Sequence, residues 1–162
     1  MKRRNIDLEN IQPDNFIASA SYECMTEVQL GLLAVKQGDA EPVRKFAHHL
    51  ILDFDKTTSD IARIATRKKL RVPDSLDEEH QNIVEQMKEK SGRDFDSAYT
   101  TRMVDGQERA ITLFKRGQRI KDPEISALAS RALTMLEARV HRTTSLLESI
   151  GSLSYVLKPS LP

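Results

Sequence analysis

The chain has 162 residues, enough for one domain with a core of its own and too few for two ordinary ones. Its charges nearly cancel, 25 Lys and Arg against 24 Asp and Glu, and no basic surface interleaved with aromatics is evident, which argues against nucleic acid as a partner. No apolar run approaches the roughly 20 residues of a membrane span, and a single cysteine, Cys24, excludes both an intramolecular disulfide and a cysteine-based zinc cluster.

Residues 1–12 are polar and read as an N-terminal arm. They carry Lys2, Arg3 and Arg4 but no apolar stretch after them, so the chain as written is expected to be cytoplasmic; a periplasmic location requires a signal peptide removed upstream. Pro13, Asp14 and Asn15 offer a helix start. From Phe16 to Gln37 the seam Ile17, Ala20, Cys24, Glu27, Gly31 and Ala34 keeps bundle spacing, and Gly38 closes the helix. Asp39 and Pro42 restart a second helix to about Leu70, with Val43, Ala47, Leu50, Phe54, Thr57, Ile61 and Ile64 on one face and Phe46 and Asp53 beside it. So short a link makes these two antiparallel neighbours. The run Arg63, Arg67, Lys68, Lys69 and Arg71 reads as a solvated helix end, where cations oppose the negative end of the dipole.

After the break at Val72-Pro73-Asp74-Ser75, Leu76 to Lys90 reads as a short amphipathic crossover carrying Ile83, Val84 and Met87. Gly92 separates it from a long helix to Ile120 with the seam Phe95, Tyr99, Met103, Gly106, Ala110, Leu113, Gly117 and Ile120. Asp122, Pro123 and Glu124 start the last helix, whose seam is Ile125, Ala129, Ala132, Leu136, Arg139, Thr143, Leu146 and Ile150, and Gly151 is expected to end it. Residues 152–162 form a tail in which Pro159 and Pro162 forbid a continued helix, leaving Leu153, Tyr155, Val156 and Leu157 to lie along the bundle or stay free. The pattern predicts an all-α domain over residues 13–151, an antiparallel four-helix bundle of 14–37, 40–70, 93–120 and 122–150 with a helical crossover.

Three ionisable residues interrupt these apolar stripes: Glu27, Asp53 and Arg139, each on a different helix. Buried charge is costly unless paired, and an arginine cannot shed its proton. One reading is an interior carboxylate metal centre, or its remnant; if the centre is intact, the chain is a metal-binding or redox stress-response protein with iron, manganese or zinc on Glu27 and Asp53. The preferred one is an interior ion pair that fixes helix register, Arg139 with Glu27 or failing that with Asp53, with no transition metal and no cofactor bound. A di-iron bundle uses Glu-x-x-His on two helices, and none of His48, His49, His80 and His141 has a glutamate three residues before it. Asp77-x-x-His80 reads as a helix cap, His141 falls on a polar face, and the adjacent His48 and His49, pointing about 100° apart, could touch the core edge but not share one ion easily. Cys24 reads as a core hydrophobe, and no phosphate loop, nucleophile elbow or zinc-protease helix is present. Enzyme activity is accordingly not expected. A protein partner or homo-oligomer is, because Leu30 and Leu33 lie off the first seam and leave more apolar surface than one core uses.

The succession FIASASYECMTEVQLGLLA, VRKFAHHLILDFDK, a Pro-containing break before D-E-E-H, FDSAYTTRMVDGQERAITLF and ISALASRALTMLEARV resembles the bacterial domain-of-unknown-function 4142 family over about Phe16 to Ile150. The resemblance implies a ferritin-like bundle, often exported, with no established activity. It also implies an acidic residue at the position of Glu27 and histidines at three others: after the Asp of the second helix, in the helix following F-D-x-x-Y, and in the last helix. This chain has Phe54 after Asp53, Gln107, and Arg139 there. The resemblance thus implies an interior metal-type site replaced in this chain, and a structural or protein-interaction role.

Overall fold

A computed structural model describes the backbone of residues 10–156 and the side chains of residues 10–151. Residues 1–9 of the expected arm, and any packing of the tail side chains beyond Gly151, lie outside the described residues. Among the described residues five helices follow in order: α1 (Pro13–Gln37), α2 (Glu41–Lys68), α3 (Glu78–Lys88), α4 (Gly92–Gly117) and α5 (Pro123–Val156). The described residues contain no strand, and no helix among them is long and apolar enough to cross a membrane.

The helix ends follow local chemistry. Pro13 opens α1, where the missing N–H would have had no partner, and the Gly38 N–H closes it on the Ala34 carbonyl at 2.9 Å. Lys69 ends α2 at φ 55° and ψ 36°, a left-handed cap that lets the Leu70 N–H reach the Ala65 carbonyl at 2.9 Å; the second helix therefore stops two residues before the expected Leu70. Asp77 caps α3 as expected, accepting the His80 N–H at 2.9 Å. Asp122 Oδ1 accepts from the Glu124 and Ile125 N–H groups at 3.0 and 3.2 Å to start α5. Contrary to expectation, Gly151 does not end that helix, which runs on to Val156. A single glycine inside a helix costs only about 1 kcal/mol, and no proline interrupts the chain before Pro159.

The four long helices close a ring, α1 on α2, α2 on α5, α5 on α4 and α4 on α1, so that α1 and α5 lie across it from each other. Helix α3 covers the α1–α4 seam. At one end the α1–α2 link meets the start of α4: the buried Asp96 carboxylate accepts from the Asp39 N–H at 3.0 Å and the Ala40 N–H at 2.8 Å. At the other end α2 meets the start of α5, where Lys68 pairs with Asp122 at 2.6 Å and Arg67 with Glu124. The basic run is therefore partly consumed by the neighbouring helix start rather than left to solvent. Near that end Phe16 meets Phe114 edge-on at 5.7 Å, and Gly117 is required because an added Cβ would lie 2.4 Å from the Phe16 ring.

The predicted seams of α1 and α2 are buried throughout, as is that of α5 through Leu146. Leu113 and Ile120 are only half-buried, and Phe114 takes the core position beside them. Leu30 is fully buried and Leu33 half-buried, so they are not leftover surface; Leu32, Val35 and Leu52 are the exposed apolar side chains of α1 and α2. The cause is that α1 has three neighbours, α2, α4 and α3, and buries more than one stripe.

Candidate functional site

Halfway along the ring the apolar core gives way to a polar layer. Arg139 projects from α5 with only 5 % of its side chain exposed, its guanidinium 4.7 Å from the centre of the Phe54 ring and Nη2 3.3 Å from Asp53 Oδ2. Asp53 lies nearer the surface, and Arg142 approaches the same oxygen at 3.7 Å from outside. The Thr143 hydroxyl lies 2.9 Å from Gln107 Oε1 and 3.2 Å from the Arg139 carbonyl, so its one proton serves either acceptor and ties α5 to α4.

Glu27 enters this layer from α1. Arg139 does not hydrogen-bond to it: Glu27 Oε1 and Arg139 Nε are both buried without a hydrogen-bond partner among the described residues. Of the two partners expected for Arg139, the geometry brings up Asp53. The reason is topological, because α2 borders α5 whereas α1 stands across the ring. Burial lifts the Glu27 carboxyl from 4.5 to about 7; Glu23, one turn before it, pushes the same way, and Arg102, Arg139 and Arg109 pull less strongly in the other direction. Gly106 makes room for it, since a Cβ there would sit 3.2 Å from Glu27 Oε1. Tyr99 also keeps a buried, unpartnered hydroxyl, its ring stacked on Phe95 at 5.9 Å, and its ionisation is pushed up chiefly by burial.

Glu27, Phe54, Gln107 and Arg139 line one interior cavity together with Gly106 and Thr143. Its volume of about 10 Å³ lies at the threshold for a single water, roughly 10–15 Å³ in the same measure, and far below that of any organic substrate. Among the described residues, no group of three or more His, Cys, Asp or Glu side chains is placed to hold a metal ion. His48 and His49 are both exposed and reach no core edge, because the buried stripe of α2 passes through Phe46, Ala47 and Leu50 on either side of them. His141 is exposed as expected. Cys24 is fully buried, and burial pushes its thiol up to about 12, which leaves it without thiolate character at neutral pH.

Asp96 lay outside the sequence reading, and His80 entered it only through its cap. Asp96 follows Phe95 as an ordinary polar position, and its partners are backbone N–H groups of a link that carries no side-chain signal. His80 does more than follow its cap: its ring stacks on Tyr22 at 5.3 Å, Nδ1 lies 2.6 Å from Asp77 Oδ1, and Nε2 faces Glu23 at 4.0 Å.

No curated protein and no solved structure matches the chain. A family model does, over residues 6–146, which takes in all of α1 to α4 and α5 as far as Leu146. By that match the chain belongs to the family described as domain of unknown function (DUF4142).

Proposed function

We propose that this protein is a non-enzymatic, ferritin-like four-helix bundle, a structural or protein-interaction module in which an ion pair stands where related chains carry metal-type ligands. One observation carries the reading. Residues 27, 54, 107 and 139, the acidic position and the three histidine positions that the family resemblance implies, line the same small cavity. Three of the four are here a phenyl ring, a carboxamide and a guanidinium. A fixed cation over Phe54 and beside Asp53 opposes a second cation in so small a space, and Glu27 remains as a lone carboxylate whose burial favours its neutral form. The up-down-down-up order of the long helices, with one crossover, supports the ferritin-like reading.

The test is metal content and its restoration. Purified without chelator, the wild-type chain carries iron, manganese and zinc far below one ion per chain. The combined substitution Phe54→His, Gln107→His and Arg139→His creates a stoichiometric site with Glu27. Stoichiometric iron, manganese or zinc in the wild type would overturn the reading in favour of a metal-binding or redox stress protein. A triple variant that stays folded and binds nothing would show that the four positions do not form a ligand set. For the interaction role, Leu32, Val35 and Leu52 of α1 and α2, with Val140 and Leu147 of α5, are the large apolar side chains exposed to a partner or a second copy among the described residues. Light scattering that finds only monomer over a wide concentration range counts against the homodimer.

A further inference from the structure

A second cavity lies outside the ring, in the groove between α1, α3 and α4, with a volume of about 500 Å³. It lies within the range of small-molecule sites, ~300–1,000 Å³, and shares no lining residue with the interior cavity. Its walls carry opposite charges that do not meet. On the α1 wall Glu23 is only 14 % exposed, and its Oε2 is buried with no hydrogen-bond partner among the described residues. On the α4 wall Arg102 has a buried, unpartnered Nε, and neither Arg102 nor Arg109 makes an ion pair within 4.0 Å or a hydrogen bond among the described residues. The buried Glu23 Oε2 and Arg102 Nε face one space without meeting, so each forgoes both solvation and pairing, while Arg109 stands beside them at the exposed rim. Helix α3 holds the groove open: His80, fixed by Asp77 and stacked on Tyr22, props its first turn against α1. Ile83 and Leu113 supply apolar lining in the same groove.

A ligand that satisfies both walls carries an anion and a cationic hydrogen-bond donor, with an apolar remainder. We propose that this groove binds a free α-amino acid with an apolar side chain, its carboxylate on Arg102 and Arg109, its ammonium on Glu23, and its side chain along Ile83 and Leu113. Guanidinium groups suit a carboxylate through paired N–H donors, and an ammonium supplies the donors that Glu23 lacks.

The experiment begins with thermal unfolding of the full chain against each of the twenty standard amino acids at 10 mM. At least one apolar amino acid raises Tm, by about 5 °C or more if its Kd is ~0.1 mM. Calorimetry then compares that amino acid with the same molecule lacking its amine and with the one lacking its carboxylate; each binds at least tenfold more weakly. Arg102→Gln and Glu23→Gln each lose tenfold or more in affinity, while Arg131→Gln on the exposed side of α5 loses none. Arg109→Gln, at an exposed side chain, repeats the test should either of those variants misfold. The proposal is overturned if no amino acid raises Tm, if both truncated analogues bind as tightly as the parent, or if the groove variants bind like the wild type.

Discussion

Glu27→Gln isolates the cost of burying a carboxylate in the polar layer. Its carboxyl is raised from the ordinary 4.5 to about 7, with burial the largest cause and Glu23 the next. The folded protein therefore holds this proton more tightly than the unfolded chain. The stability that the proton confers is complete below about pH 4.5 and is lost as the pH rises through about 7. That interval corresponds to about 3 kcal/mol at pH 8 and above. Glutamine has nearly the same shape and no charge, so the variant lacks this slope. Urea unfolding at pH 4.5 and pH 8.5 tests it with all other titrations common to both proteins. With a slope of about 2 kcal/mol per molar urea for a chain of this size, the variant's midpoint relative to wild type rises by about 1.5 M between the two conditions. A difference between variant and wild type that is the same at both pH values would refute the assignment, and would mean that Glu27 stays ionised and solvated or paired.

Three further outcomes follow from the packing. Arg139→Ala costs about 3 kcal/mol by urea unfolding, because it leaves a void over Phe54 and removes a partner from Asp53. Arg139→Met costs less than about 1.5 kcal/mol, because Asp53 keeps some solvent and Arg142; equal losses would show that charge rather than volume dominates. Gly117→Ala lowers stability by about 1–3 kcal/mol, since its methyl meets the Phe16 ring, whereas Gly151→Ala, with open space around it, raises stability by about 0.5–1 kcal/mol; thermal melts that rank them the other way contradict the helix contacts. Asp96→Ala leaves the Asp39 and Ala40 N–H groups without their acceptor and costs about 2–3 kcal/mol, and an unchanged Tm would show that water replaces the carboxylate freely.

Helical period carried the sequence reading a long way. Ile17, Ala20 and Cys24, or Val43, Ala47 and Leu50, repeat at steps that permit one buried face, and those faces are buried. Arg139 and Glu27 stood out for the same reason, since a charge inside such a stripe has few places to go. Period fixes a face but not the order of helices around a ring, so it could not choose between Glu27 and Asp53 as the partner of Arg139. It also underestimates the burial of a helix with three neighbours, which is how Leu30 came to be counted as surface. Asp96 left no trace because its partners are backbone groups. The opposed walls of the outer groove were equally silent, since Glu23, Arg102 and Arg109 each look like ordinary polar positions until α3 brings them to one space. The end of α5 was missed by treating one glycine as a stop when its helical cost is small.

The single long crossover makes the molecule two αα-hairpins, residues 13–68 and 92–156, joined by a strap. Contacts within each hairpin form across short links, whereas those that join the hairpins span 57 residues for Asp39 with Asp96 and 86 for Asp53 with Arg139. Loop-closure entropy therefore falls more on the contacts between the hairpins than on those within them. The faces that dock carry Glu27 and Asp53 on one side and Gly106, Gln107, Arg139 and Thr143 on the other. Docking is thus the step at which Glu27 leaves water. A rise in pH from 5 to 8 should slow folding of the wild type and leave Glu27→Gln unaffected; if it acts only on the unfolding rate, the carboxylate is still hydrated when the hairpins meet.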